Sequence, residues 1–209
     1  MKSSFHIRKI VLAAACLVST GLQAAQILAD APDKVSPLTV GSTAPTRVLT
    51  TADGPFDLGE AIAHKATILV FYRANWCSLG NRALVELRDG APIYETLGFQ
   101  IIAVSTDTPE SLKSAIEKNR LNYTLLSDRG LSLSSAYGIA FRAPKELVNS
   151  YARKGISLSV IAGDASAAGL LVPTVFIVDR NGVIRWVFSD PKKNPTPNEL
   201  LAAAIRART

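Results

Sequence analysis

The sequence predicts an α/β domain in which a central mixed sheet is flanked by helices. Apolar segments at residues 67–72 and 99–104 have the pattern of buried strands, and an amphipathic helix follows each of them. Residues 172–188 contain two further apolar segments joined by an Asn-Gly turn, which indicates a β-hairpin. Alternating strands and helices favour parallel pairing, whereas the hairpin adds antiparallel strands, so we expect a mixed sheet.

Composition and charge restrict the class of protein. The chain has 209 residues, of which 48% are hydrophobic and 19% charged, as is typical of one globular domain. Its formal charge of +6 falls to +3 without the first 24 residues, which carry three basic and no acidic side chains. The remaining sequence shows no basic stripe with interleaved aromatic residues, so we expect no nucleic-acid partner.

The first 24 residues have the pattern of a secretory signal peptide. Basic residues precede a charge-free apolar run, and small residues lead to a cleavage site that we place after Ala24. An alternative interpretation is a lipoprotein signal in which Cys16 is acylated and retained, and only this alternative implies contact with a membrane. In both cases we expect export to the periplasm. Cleavage leaves Cys77 as the single cysteine and His64 as the single histidine, so no intramolecular disulfide is expected.

The elements before the first buried strand are short. Residues 25–39 mix Ala, Asp, Pro and Ser without periodicity and predict a flexible tether, so the folded domain is expected to span residues 40–209. Residues 46–49 predict a short strand. Asp57 is placed to cap a helical turn over residues 57–63.

Strands and helices then alternate. Residues 67–72 are almost entirely apolar and predict a strand that is covered on both faces. An apolar stripe predicts a helix over residues 78–90, with Cys77 at its start. The strand at residues 99–104 is followed by Thr108-Pro109-Glu110, where a cap, a first-turn proline and an early acid begin another helix.

The C-terminal part departs from this alternation. Residues 128–169 contain two helical segments, 131–137 and 145–154, separated by glycines and short polar turns. They predict a helical insertion before the late hairpin. A last amphipathic helix is predicted over residues 197–207.

Cys77 is the candidate catalytic residue because it lies where a buried strand ends and a helix begins. Free backbone N–H groups and the positive end of the helix dipole favour the thiolate, which is the reactive form. The alternative interpretation is that Cys77 is a small buried hydrophobic residue, since free cysteines are among the most buried residue types. One cysteine, one histidine and no clustered carboxylates predict neither a metal site nor a cofactor.

Motifs distributed over residues 40–204 occur together in this chain. In order they are Phe71-Tyr72-Arg73 with Trp76-Cys77, Leu126-Ser127-Asp128, Ala136-Tyr137-Gly138, Pro144-Lys145-Glu146-Leu147, and the run from Val172-Pro173-Thr174 to Arg185. In combination they resemble peroxiredoxin-like proteins of the alkyl hydroperoxide reductase C/thiol-specific antioxidant (AhpC/TSA) group. The resemblance implies a thioredoxin-like fold and a thiol-based antioxidant oxidoreductase.

The sequence departs from the thiol motifs of these relatives. Cys77 holds the first position of the thioredoxin-like Cys-x-x-Cys motif, and Gly80 holds the second. Peroxiredoxins carry Thr-x-x-Cys, and alignment with them places their threonine at Cys77 and their peroxide-attacking cysteine at Gly80. The buried aspartate of thioredoxins, six residues before the first cysteine, corresponds to Phe71. The resemblance therefore implies a thiol site with one cysteine.

A proline and its neighbours complete the predicted site. Pro173 replaces the arginine that peroxiredoxins place before the late strand, and it matches the proline that is cis in thioredoxins. The resemblance implies a substrate groove beside Cys77 that is formed by four residues: Trp76, Ser78, Pro173 and Thr174.

Two functions are consistent with these residues. In the first, Cys77 reduces a peroxide or a disulfide, and an external thiol, glutathione or a thioredoxin-like protein, releases the adduct. In the second, the chain is a catalytically degenerate thioredoxin-fold module that holds a protein segment in the groove of Trp76 and Pro173. The family resemblance favours the first function, and the missing second cysteine favours the second.

Overall fold

The computed structural model describes residues 28–208, so the predicted signal peptide lies outside the described residues. The described strands are β1 (Val48–Thr50), β2 (Pro55–Asp57), β3 (Ala66–Phe71), β4 (Phe99–Ser105), β5 (Thr124–Ser127), β6 (Ala140–Arg142), β7 (Ser159–Ile161), β8 (Asp164–Leu171), β9 (Thr174–Val178) and β10 (Ile184–Ser189). The described helices are α1 (Leu58–His64), α2 (Ser78–Thr96), α3 (Pro109–Asn119), α4 (Ser132–Ala136), α5 (Lys145–Ala152) and α6 (Pro197–Arg206).

Seven strands form the main sheet in the order β10-β9-β3-β4-β5-β1-β2. Strands β3, β4 and β5 are parallel to one another, whereas β9 pairs antiparallel with β3 and β10 antiparallel with β9. Strand β1 pairs antiparallel with β5 and β2. This arrangement confirms the predicted mixed sheet with its late hairpin.

Strand β3 lies in the middle of the sheet and is buried on both faces. Its side chains alternate between two apolar clusters: Leu69 and Phe71 pack on one face, and Ile68 and Val70 on the other. Because a strand directs successive side chains to opposite faces, a strand covered on both sides must be apolar at every position. This burial explains the uninterrupted apolar run that predicted the strand.

The helix caps follow the sequence, but one helix is longer than predicted. Asp57 caps α1 by accepting hydrogen bonds from the backbone N–H groups of Gly59 and Glu60, as expected. Helix α2 continues to Thr96, although the apolar stripe predicted an end at residue 90. Gly90 lies within α2, and a glycine inside a helix lowers the free energy of unfolding by only about 1 kcal/mol relative to alanine. The burial of Tyr94, one turn further along, offsets this cost.

The insertion contains strands as well as helices. Helices α4 and α5 confirm its two predicted helical segments, but β6, β8 and β7 form a second, three-stranded antiparallel sheet that the sequence analysis missed. Alanine, glycine and aspartate are poor β-formers, and they make up most of β8. Tertiary pairing, rather than local preference, makes this segment a strand.

The segment at residues 28–39 differs from the flexible tether that the sequence predicted. The backbone N–H groups of Ser36 and Leu38 donate to the carbonyl oxygens of Gly138 and Tyr137, at 3.0 and 3.1 Å. Leu38 also packs against the main apolar cluster. Packed structure therefore begins upstream of residue 40, because the insertion supplies hydrogen-bond partners that the local sequence does not reveal.

We predict that Gly138→Ala detaches this N-terminal segment. Gly138 has φ +69°, and a Cβ atom there would overlap the carbonyl oxygen of Ser36. The left-handed conformation alone costs a side-chain-bearing residue of order 1–3 kcal/mol. The control is Gly155→Ala, because Gly155 has φ +72° and open space around the new Cβ. Urea unfolding should show a larger loss of stability for Gly138→Ala, and equal losses would contradict the close approach of Ser36.

Candidate active site

Cys77 ends the loop that leaves β3 and is the N-cap residue of α2. Its backbone is extended, with φ −92° and ψ 111°, and its carbonyl accepts the first helical hydrogen bond from the N–H of Asn81 at 3.0 Å. The side chain is half-buried and forms no capping hydrogen bond. The thiol therefore lies at the strand-to-helix junction that the sequence predicted.

The start of α2 is a favourable place for negative charge. First-turn N–H groups have no partner within a helix, and the helix dipole adds partial positive charge there. The first turn of α2 carries no acidic side chain that would oppose a thiolate at Cys77. Backbone electrostatics at a helix start thus favour negative charge, and no acidic side chain in the first turn of α2 opposes it.

Gly80 is buried in the first turn of α2, three residues after Cys77. A Cβ atom built on Gly80 would lie 3.2 Å from Cδ2 of Tyr72 and 3.5 Å from its Cβ atom. The Tyr72 ring therefore packs directly against the helix backbone at the position where the family resemblance places a second or peroxide-attacking cysteine. Cys77 is the only cysteine among residues 28–208.

Trp76 joins the Cys77 loop to the insertion. Its ring lies 4.9 Å from that of Tyr151, measured between centroids, with an interplanar angle of 55°. Trp76 and Tyr151 pack against a small apolar cluster that contains the buried side chain of Val172, the residue before Pro173. Of the predicted groove residues, Trp76 packs against this cluster, and Pro173 directly follows one of its members in the chain.

Pro173 differs from its expected geometry. No peptide bond among residues 28–208 is cis, so the Val172–Pro173 peptide is trans. Val172 donates its N–H to the carbonyl of Ile139 at 2.9 Å, and the Pro173 carbonyl accepts from the N–H of Asp190 at 3.3 Å. These contacts tie the backbone between β8 and β9 to the residue before β6 and to the residue after β10.

The last two predicted groove residues differ in exposure. Ser78, the first residue of α2, is exposed beside Cys77. Thr174 begins β9 opposite Phe71 and is buried, and its hydroxyl lies 2.9 Å from the carbonyl oxygen of Val172 and 2.8 Å from the hydroxyl of Ser189. Ser78 is therefore accessible to a bound molecule, whereas the Thr174 side chain is used within the sheet.

Asp107 is a site residue that the sequence analysis missed. It lies between β4 and α3, and its side chain is buried against the Cys77 loop. One carboxylate oxygen accepts hydrogen bonds from the N–H of Asn75 and the hydroxyl of Ser105, both at 2.9 Å, and the other accepts from the hydroxyl of Ser111 at 3.0 Å. The sequence carries a signal for this residue, namely the polar run at residues 105–108 at the end of a buried strand. Parallel strands end at the same edge of the sheet, so a loop that follows one strand lies beside the loop that follows its neighbour.

Tyr72 brings a second buried polar group under the site. Its hydroxyl is near Ser105 and Asp107 but meets neither of them in hydrogen-bond geometry. Burial, and then the negative charge of Asp107, raise the pKa of the Tyr72 phenol. Tyr72 therefore stays protonated throughout the neutral range.

Residues 28–208 contain no cluster of metal-ligating side chains: no group of three or more His, Cys, Asp or Glu in this part of the chain is arranged to hold a metal ion. Over the same residues, none of the helices is both long and apolar enough to span a bilayer.

The sequence between residues 40 and 187 matches the model of the AhpC/TSA family. The chain belongs to the AhpC/TSA family. Over 105 residues it is 30% identical to a bcp peroxiredoxin of Haemophilus influenzae, a match that covers 50% of this chain and 68% of the relative. Over 151 residues it is 24% identical to the thiol-disulfide oxidoreductase ResA of Geobacillus thermodenitrificans, covering 72% of this chain and 69% of the relative.

Solved structures show the same fold. A yeast mitochondrial 1-Cys peroxiredoxin, whose thiol resolving mechanism uses glutathione/thioredoxin systems, superposes with a TM-score of 0.61 at 15% identity. The match covers 78% of this chain and 73% of the yeast protein. The predicted thioredoxin-like fold and peroxiredoxin-like family are confirmed, and with them the class of thiol-dependent oxidoreductases.

We predict that Gly80→Cys forms a disulfide with Cys77. N-cap and N3 side chains lie beside one another at a helix start, and a Tyr72 ring shift of a few tenths of an ångström admits the new Cβ. Oxidation with diamide should remove both free thiols, as counted by thiol titration. In the control Gly90→Cys, the new thiol is about 20 Å along α2 from Cys77 and both thiols should remain free. Two free thiols in Gly80→Cys would contradict this geometry.

Proposed function

We propose that this AhpC/TSA protein is an exported single-thiol oxidoreductase. Cys77 reduces a peroxide or a disulfide, and an external thiol restores it. The observation that carries the proposal is the half-buried Cys77 at the start of α2, with glycine where relatives place a further cysteine. Membership in the AhpC/TSA family supports thiol chemistry, and the single cysteine that remains after cleavage supports a second thiol from outside.

For a disulfide substrate, two exchange steps complete the cycle. The Cys77 thiolate attacks one sulfur, the substrate S–S bond breaks, and the leaving thiolate takes a proton from water. An external thiolate then attacks the substrate sulfur of the mixed disulfide and releases Cys77 as a thiolate. One half of the substrate is thus released as a thiol, and the other half leaves joined to the external thiol in a new disulfide.

For a hydroperoxide, Cys77 passes through a sulfenic acid. The thiolate attacks the terminal oxygen, the O–O bond breaks, and the substrate leaves as an alcohol after taking up a proton. One external thiol converts the sulfenic acid to a mixed disulfide and releases water. A second external thiol releases Cys77 and leaves as a disulfide, so two thiols are oxidised for each peroxide.

The partners follow from this chemistry. Peroxiredoxin relatives support peroxide substrates and thiol reductants in general. The yeast 1-Cys peroxiredoxin of similar fold is resolved via glutathione/thioredoxin systems, which supports glutathione or a thioredoxin-like protein as the reductant here. Exposed Ser78 beside half-buried Cys77 leaves the thiol side of the helix start open to such a partner.

A second candidate function is a degenerate binding module that holds a protein segment beside Trp76 and Pro173. Two observations favour it: Gly80 in place of a cysteine, and the contact of Trp76 with Tyr151, which builds an aromatic surface next to the loop. Such a module would bind without turnover. The reactivity of Cys77 therefore distinguishes the two candidates.

We predict that Cys77→Ser abolishes turnover of hydrogen peroxide, an alkyl hydroperoxide and a mixed disulfide by the chain beginning at Ala25. Serine lacks a sulfur that can be oxidised, so glutathione-dependent rates should fall to the uncatalysed background. Wild-type Cys77 should also react with iodoacetamide faster than free cysteine at pH 7, because the start of α2 stabilises its thiolate.

The control is Ser114→Ala, a change at an exposed position of α3, which should retain the wild-type rates. Equal rates in wild type and Cys77→Ser would exclude catalysis at this thiol. Slow labelling of Cys77 together with tight binding of a peptide would favour the binding module.

We predict export with cleavage after Ala24. The packed structure contains Leu28, so this cleavage removes no described element. N-terminal sequencing of periplasmic protein from an expressing bacterium should begin at Ala25. A membrane-bound protein that becomes soluble on Cys16→Ser would instead support the lipoprotein alternative.

A further inference from the structure

We infer that Asp107 is a positioning residue for Cys77, acting through the loop that carries the thiol. The inference rests on the proposed function of Cys77, and it assigns a role to a residue of a different loop, between β4 and α3. Asp107 is only 7% exposed, and its carboxylate accepts a hydrogen bond from the N–H of Asn75, two residues before Cys77.

The Cys77 loop is held on both sides of Asn75. Asp107 accepts from the Asn75 N–H at 2.9 Å, and the side-chain amide of Asn81 donates to the Asn75 carbonyl at 2.6 Å. Earlier in the loop, the carbonyl of Arg73 accepts from the hydroxyl of Thr106 at 3.0 Å. The peptide groups that lead to Cys77 are thereby fixed to the β4–α3 loop and to the first turn of α2.

The orientation of Asp107 is itself fixed by three elements. Ser105 at the end of β4 and Ser111 in α3 donate their hydroxyls to its carboxylate. Ser127 at the end of β5 donates its hydroxyl to the Asp107 carbonyl at 2.6 Å. Because β4 and β5 are paired in the main sheet, Asp107 connects the Cys77 loop to that sheet.

These contacts indicate positioning and exclude direct proton transfer to a substrate. Both carboxylate oxygens accept hydrogen bonds from groups within the protein, and the side chain is buried. Asp107 therefore acts through Asn75, as a hydrogen-bond acceptor of fixed position. A displacement of about 1 Å at a reacting group can cost as much as 100-fold in rate, so a loosened loop should slow the thiol.

The test compares Asp107→Ala, Asp107→Ser and Asp107→Asn in the chain beginning at Ala25. Alanine and serine cannot reach the Asn75 N–H, whereas asparagine keeps an acceptor oxygen of the same reach. We expect alanine and serine to lower both the iodoacetamide rate of Cys77 and peroxide or disulfide turnover by roughly 10- to 100-fold. Asparagine should restore both rates close to wild type, with an unchanged pH profile of alkylation.

Amide hydrogen exchange provides a readout that does not depend on activity. The Asn75 amide should be protected in wild type and Asp107→Asn, and it should exchange rapidly in Asp107→Ser. The control Ser114→Ala changes an exposed position of α3 outside the hydrogen bonds of Asp107 and of the loop, and it should preserve both the exchange rate and the alkylation rate. The serine variant keeps the test valid where the alanine variant fails to fold.

Two results would overturn the inference. One is a protected Asn75 amide with a wild-type alkylation rate in Asp107→Ser. The other is an Asp107→Asn variant that is as slow as Asp107→Ser with an altered pH profile, which would assign the effect to charge. Failure of the proposed function has a different signature, namely turnover that survives Cys77→Ser whatever residue occupies position 107.

Discussion

The parallel pairing of β3 and β4 is the constraint on which the site depends. Its register places Phe71 opposite Val104, so both strands end at the same edge and their loops leave side by side. The N–H of Tyr72 continues this pairing by donating to the carbonyl of Val104 at 3.0 Å. Everything that orients the thiol is built on this edge, because one loop carries Cys77 and the other carries Asp107.

The insertion and the N-terminal segment complete the other side of the site. The Val35 side chain packs with the same small cluster as Trp76, and Ala29 pairs with Phe141 in the insertion. Chain segments far apart in sequence thus pack in the cluster that Trp76 joins. The AhpC/TSA core supplies the thiol position, whereas these additions supply the cluster against which the neighbouring Trp76 packs.

Much of this architecture is local in origin and could be predicted. The apolar run of β3, the Asp57 cap and the position of Cys77 at a strand-to-helix junction all follow from neighbouring residues. Strand β5 and the second sheet were missed, because β5 has only four residues and β8 consists mostly of poor β-formers. Their pairing partners lie elsewhere in the chain.

The site, like the fold, could be predicted only where it depends on neighbouring residues. The place of Cys77 follows from the order of elements, but the buried contact between Asp107 and Asn75 joins residues 32 positions apart and depends on strand register. The hydrogen bonds on either side of the Val172–Pro173 peptide, from the Val172 N–H to Ile139 and from the Asp190 N–H to the Pro173 carbonyl, likewise join distant parts of the chain. The features of the site that were predicted depend on neighbouring residues, whereas those that were missed depend on hydrogen bonds between distant parts of the chain.

Gly80 has a kinetic consequence for a single-thiol cycle. A neighbouring cysteine would resolve an adduct on Cys77 at a rate independent of concentration, because the reaction would be intramolecular. With glycine at position 80 and the Tyr72 ring against it, the proposed single-thiol cycle makes resolution bimolecular, and the lifetime of the adduct becomes inversely proportional to the concentration of the reductant. Under that proposal, the fraction of oxidised protein at steady state would report the thiol content of its surroundings.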